Sequence, residues 1–382
     1  MDEKILKKFY FENNVFSFLL VCVALTTVSA IWQYNTIASL LIAINFIITT
    51  ILTFSVLLKN MDKYLVLLWF GIAVVSFLAV FVSGEKITFE YLKLWIMFMS
   101  TINLFYWVAS IKVTKIMVNN LFLCATAVAF MFVVAFYYGL GYGNSKLPDY
   151  LTFGMSNPNI TAIYLLNVFL CLVVSLDFTG KKRVKLIRII LGCFMVYFIL
   201  KTEARACMLG VVACLFLKVF GIKKYNKKFN FFMIILPLVF AIIYMEIIDM
   251  SIMELFEFAE SKGKGLDSRV PIWQKVFKTI KENPFLGNYK TGGNLHNMHL
   301  AIMSTYGSFV AVGVIVFLNY IINDIGVKME EKYQYMGLFA FYAVIVSGCF
   351  EATLFTGSQG MYVLSTGLLM VSKYTLEEEK RT

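Results

Sequence analysis

About twelve apolar runs follow one another along this chain, near 15–31, 37–58, 64–83, 89–110, 116–138, 159–178, 186–201, 205–220, 230–248, 301–322, 335–350 and 355–372, with charged or polar residues between them. A helix rises ~1.5 Å per residue, so ~20 apolar residues cross the ~30 Å hydrocarbon layer of a bilayer. Inside that layer no water pairs with peptide groups, which leaves helices and closed barrels as the spanning structures. The runs lack the two-residue alternation of barrel strands. An all-α polytopic membrane protein of about 12 transmembrane helices is therefore expected, with residues 1–382 forming a single transmembrane domain. A content of 60% hydrophobic and 15% charged residues points the same way, because soluble domains average about half and a quarter. The seven cysteines lie in or at the edges of apolar runs with no CxxC, so neither a disulfide framework nor a thiolate metal site is suggested.

The net charge of +11 would suggest nucleic acid in a soluble protein, but here most Lys and Arg flank the spans, as orientation signals do. No nucleic-acid partner is expected. Alternate loops carry Lys4, Lys7 and Lys8; Lys59 and Lys63; Lys112 and Lys115; Lys181, Lys182, Arg183 and Lys185; Lys223, Lys224, Lys227 and Lys228; and Lys328 and Lys332. Lys373, Lys380 and Arg381 follow the last span. With an even number of spans all of these fall on one face, so both termini are expected in the cytoplasm. The charged stretch 1–11 leads into the first span without a small-residue cleavage site and reads as a retained anchor. The short loops of the other face carry few basic residues, among them Lys86, Lys146, Lys201 and Arg205.

Two segments on that outer face are longer than hairpins need. The first, 139–159, ends in Ser156-Asn157-Pro158-Asn159, where the Asn157 side chain can cap free N–H groups and Pro158 fits a first turn. The second, 249–300, is the large extracytoplasmic loop between spans nine and ten. Within it an amphipathic helix is expected over 267–283, with Ile272, Trp273, Val276, Phe277 and Ile280 on one face and Lys275, Lys278 and Lys281 on the other, ended by Asn283-Pro284. Such a helix is expected to lie along the membrane surface.

The chain has two histidines, His296 and His299, and both close this loop. Of its five arginines, Arg205 and Arg269 are expected on the outer face. Arg205 sits at the tip of a hairpin whose flanking runs are short for a bilayer, and a charge held below the surface is by default functional or paired, here with Glu203 as the available partner. Arg269 falls in the first turn of the loop helix, where backbone N–H groups already favour an anion and a guanidinium adds fork geometry. The bland reading is a solvated charge. An imidazole is suited to proton transfer at physiological pH, so His296 can serve as a general base, with Glu203 as a competitor. The pair could instead bind zinc on one helix face or act in capping, but no third ligand is evident and no metal is expected.

Read together, Asn157-Pro158-Asn159 before a span, Thr202-Glu203-Ala204-Arg205 in a hairpin, Arg269 with Trp273 four residues on, 283–287 (Asn-Pro-Phe-Leu-Gly) and His296-Asn297 resemble the O-antigen polymerase and ligase family, over roughly 150–320. Ala204 stands where the family usually has Ser, and Asn288 where a second Gly would follow. The resemblance implies a GT-C-like fold in the bacterial cytoplasmic membrane with its active site on the extracytoplasmic face. It also implies transfer of a glycan from an undecaprenyl-pyrophosphate-linked donor to a lipid-linked acceptor, without cofactor, alongside membrane lipid and a chain-length regulator protein. Carried over by residue, Arg205 and Arg269 hold the pyrophosphate and His296 is the base. Asn157, Asn159, Glu203, Trp273, Asn297 and His299 are expected to line the substrate. A polysaccharide polymerase is the first reading, a ligase of the same fold the near alternative. A flippase of lipid-linked sugars would place charges within spans near the midplane and show internal repeats, neither of which dominates here, although Lys93 lies within span four.

Overall fold

A computed structural model describes residues 3–57, 62–82, 89–142, 149–155, 157–220, 225–249, 270–288, 296–330, 332–352, 354–355 and 361–375. These fold into fourteen α-helices, one 3-10 turn and no strand. The helices are α1 (Glu3–Ile31), α2 (Asn35–Leu57), α3 (Lys63–Val82), α4 (Phe89–Ser110), α5 (Lys115–Tyr137), α6 (Pro158–Phe178), α7 (Lys182–Lys201), α8 (Arg205–Phe220), α9 (Lys227–Asp249), α10 (Val270–Glu282), α11 (Met298–Tyr306), α12 (Ser308–Gly326), α13 (Lys332–Ser347) and α14 (Met361–Lys373). Eight of them, α1 to α6, α9 and α12, are long and apolar enough to cross a membrane. The other expected spans coincide with α7, α8, α13 and α14, of 20, 16, 16 and 13 residues, of which α7 is long enough but carries Lys182, Arg183, Lys185, Arg188 and Lys201.

Large apolar side chains stand open on the outer helices, among them Leu67, Phe70, Leu123 and Val219, each more than 60% exposed. In water such a surface would aggregate, and in lipid it is the expected exterior. The interior is built around α6, which packs against α5, α7, α8, α13 and α14. Apolar burial gives little preference between lipid and protein, so the contacts that orient helices are close packing and hydrogen bonds. Gly210 on α8 lets the backbone approach α6 and α13, since a Cβ there would lie 2.8 Å from Leu166 Cδ2 and 3.2 Å from Ala343 O. Asparagines join helices across the bundle. Asn103 accepts from Trp69 Nε1 at 2.8 Å and donates to Thr50 Oγ1 at 3.1 Å. Asn167 accepts from Ser365 Oγ at 2.6 Å. Asn230 donates to Asn319 Oδ1 at 3.0 Å and accepts from Tyr342 OH at 2.9 Å.

Two sequence expectations change. The run 301–322 is not one span: Gly307, at φ 91° and ψ 169°, separates α11 from α12, so the membrane-length helix is α12. Only glycine readily takes that conformation, and the chain after α10 is packed into the break. Ser308 N–H donates to Pro284 O at 3.0 Å and Asn288 N–H to Ser304 O at 2.7 Å. A Cβ on residue 307 would lie 1.9 Å from Phe285 O. Gly307→Ala is therefore expected to lower the thermal midpoint of the solubilised protein by a clear margin, with at least about 1–3 kcal/mol from backbone strain alone; an unchanged midpoint would show that the turn is not strained.

The second change concerns the loop helix. Its described part is Val270–Glu282, with 267–269 outside the described residues, and its apolar face meets protein rather than lipid. Trp273 is fully buried and packs edge-on against Phe240 and Tyr244 of α9, with centroids 6.4 and 5.4 Å apart. Val276 joins Leu300 and Ala301 of α11 and Ala352 in the same apolar cluster. Lys275, Lys278 and Lys281 remain exposed.

Candidate active site

Four elements meet at one end of the bundle, where α6, α8 and α11 begin and α13 ends. Helices α6, α8 and α13 pack on one another, which brings Asn159, Arg205 and the segment after Ser347 to the same end. Glu351 lies in that segment and is 2% exposed. Its Oε1 accepts from Asn159 Nδ2 at 2.7 Å and lies 2.9 Å from His296 Nδ1. Cys207, two residues beyond Arg205, is within electrostatic reach of the same carboxylate. A carboxylate removed from water is costly unless hydrogen-bonded, so this cluster is held for a reason other than burial itself.

Local sequence explains each placement. Asn157 caps α6, its Oδ1 accepting from Asn159 N–H at 2.8 Å with Pro158 in the first turn, and this orients Asn159 inward. Thr202 closes α7 by donating to Ile199 O at 2.7 Å and accepts from Ala204 N–H at 3.3 Å. Glu203 turns the hairpin in the left-handed region at φ 57°. Both Glu203 and Arg205 are exposed at the tip.

Asn297 is buried and fully engaged. Its Oδ1 accepts from His299 N–H and Leu300 N–H, both at 3.1 Å, which caps α11. Its Nδ2 donates to Pro237 O at 2.7 Å and Cys349 O at 3.1 Å. His299 is buried as well, and its Nε2 donates to Ile234 O at 2.7 Å. Pro237 lacks an N–H and interrupts the hydrogen-bond ladder of α9 at this level; side chains of neighbouring helices supply donors there, as membrane helices require. His296 sits one residue outside this clasp at φ 53°, with its side chain 20% exposed.

Of the candidate site residues, Asn159, Glu203 and Arg205 thus lie at the shared end of the bundle and His296 opens onto it, while Asn157, Asn297, His299 and Trp273 are occupied as caps, clasps or core. The two histidines face different partners, so the i, i+3 spacing does not form a two-histidine face, and among the described residues no three of His, Cys, Asp and Glu form a metal-binding group. Arg269 lies outside the described residues, directly before α10. Glu351 was not singled out by sequence reasoning. The signal available was a lone acid at the outer edge of an apolar run, in Cys349-Phe350-Glu351-Ala352, where a charge is functional by default.

Fold and cluster define a multi-pass helical membrane protein with a polar site at one end of its bundle. Residues 190–293 match the model of a family described as O-antigen ligase, so over this stretch the chain is similar to that family, as its motifs suggested. The match runs from α7 through α10, takes in Arg205 and Arg269, and stops three residues short of His296. Comparison with curated proteins and with solved structures gives no match.

Proposed function

We propose that the protein is a membrane glycosyltransferase that moves a glycan from an undecaprenyl-pyrophosphate donor to a lipid-linked repeat unit on the extracytoplasmic face, as a polysaccharide polymerase. The observation that carries it is His296, partly open and hydrogen-bonded to buried Glu351, at the end of the bundle where Arg205 begins α8. In the reaction a hydroxyl oxygen of the acceptor sugar attacks the anomeric carbon of the donor. The carbon–oxygen bond to the pyrophosphate breaks, its electron pair leaves with the lipid pyrophosphate, and the hydroxyl proton passes to His296. Arg205 and Arg269 neutralise the charge that grows on the leaving group, and the positive end of the α8 helix dipole adds to this. Lys275, Lys278 and Lys281 face outward beside the site and suit an anionic lipid surface.

The description of the matching family favours a second reading, a ligase that hands a finished glycan to another acceptor. Purified protein in liposomes, given the lipid-linked repeat unit of its host without ATP or an ion gradient, should elongate it. Arg269→Ala should abolish that elongation. Transfer only to a different acceptor would favour the ligase, and unchanged elongation by Arg269→Ala would remove that arginine from the site. For the membrane face, Lys278→Cys in a Cys193→Ala background, which removes the exposed native thiol, should react with an impermeant maleimide on intact cells. Protection of that thiol would reverse the orientation.

A further inference from the structure

A base at His296 needs one particular ring nitrogen free. We infer that Glu351 is a positioning residue that holds His296 in the Nδ1–H tautomer, so that the unprotonated Nε2 is presented to the acceptor hydroxyl. This deepens the glycosyl-transfer reading and rests on it.

An amide nitrogen only donates, so Asn159 Nδ2 makes Glu351 Oε1 an acceptor at 2.7 Å. The same oxygen, which as part of a carboxylate has no proton to give, is 2.9 Å from His296 Nδ1, so a hydrogen bond between them requires the proton on Nδ1. A neutral imidazole with hydrogen on Nδ1 has its lone pair on Nε2. The arrangement is pre-set by two hydrogen bonds to the backbone ahead of Glu351. Asn297 Nδ2 donates to Cys349 O at 3.1 Å and Met298 N–H to Gly348 O at 2.9 Å, so the two residues that follow His296 and those preceding Glu351 share one clasp. That clasp also holds His296 at φ 53°, a conformation L-residues adopt rarely and which persists where surroundings over-determine it. When the proton arrives on Nε2, the imidazolium sits beside a buried carboxylate that stabilises it. A carboxylate in this position elsewhere in enzymology sets both tautomer and orientation of a catalytic imidazole.

The chain's two histidines make the test direct. Ring-15N-histidine labelling of the full-length protein in detergent should give two tautomers in one spectrum: Nδ1–H for His296, and Nε2–H for His299, whose Nε2 donates to Ile234 O. In Glu351→Gln the His296 signals should leave the Nδ1–H pattern, with those of His299 unchanged as a control for the fold. Its kcat for elongation should fall by about 10²- to 10⁴-fold, with the KM for the lipid donor little changed. Glu351→Asp should recover part of both, and carries the test if the Gln variant loses the His299 pattern. A wild-type His296 protonated on Nε2, or a Glu351→Gln protein whose tautomer or kcat stays as in wild type, would overturn the inference. Wild-type elongation by His296→Gln would instead overturn the base reading itself, while the spectrum still decides what Glu351 does to the ring.

Discussion

Replacing His296 with glutamine is expected to lower kcat for glycan transfer by about 10²- to 10⁴-fold while the folded protein remains intact, because positioned proton transfer contributes about that much. Glutamine is chosen because its amide can still donate to Glu351, so the buried carboxylate keeps a partner and only the proton acceptor is lost. The side chain of His296 is 20% exposed, so its replacement does not open a sealed core. His299→Leu should behave in the opposite way. Its imidazole is buried and donates to Ile234 O beside the interrupted ladder of α9. Removing that donor should destabilise by about 1–3 kcal/mol, the cost of an unsatisfied buried group, with the activity per folded molecule largely retained. Elongation kinetics and thermal scans on the two variants in one detergent separate chemistry from folding. A His296→Gln protein with wild-type kcat would falsify the assignment of the base.

The second large effect is expected at Arg205. Arg205→Ala should lower kcat/KM by about 10²- to 10³-fold, the usual loss when one preorganised donor to a developing anion is removed. Arg205→Lys should recover little of it, since an ammonium is a point charge and does not reproduce the two parallel donors that grip a phosphate. The geometry behind this is a helix start. Arg205 is the first residue of α8, exposed at the hairpin tip, where the positive end of the helix dipole already favours an anion. If Arg205 and Arg269 grip one diphosphate, the double variant should lose less than the two single losses combined, because groups sharing a partner are coupled. Full rescue by lysine, with the wild-type KM for the lipid donor, would show that Arg205 supplies charge but no grip.

Helix positions were legible wherever hydropathy alone decides them. The runs 116–138 and 159–178 correspond to α5 at Lys115–Tyr137 and α6 at Pro158–Phe178. The cap at Asn157 was readable for the same reason: it depends on residues within three positions. Gly307 was not, because an apolar average over 301–322 carries no information about one backbone angle, and the Pro284 to Asn288 segment that wedges the break open approaches from outside the run. The amphipathic pattern of α10 was plain in sequence, but lipid and a protein surface accept the same apolar stripe. Phe240 and Tyr244 decided which one covers Trp273.

His296 and His299 show the boundary most clearly. As letters they are equivalent, three residues apart in one motif, yet one opens onto the polar end of the bundle and the other is sealed against α9. By itself the sequence determined a helical bundle suited to a membrane, with its orientation signals and a short list of cationic and titratable candidates, because hydrophobic length and charge bias are sums over neighbouring residues. Only the tertiary structure decided that Glu351, 55 residues from His296 and 192 from Asn159, completes the site. Hydrogen bonds are short and directional, and which groups come within 3 Å across such separations depends on how the helices pack.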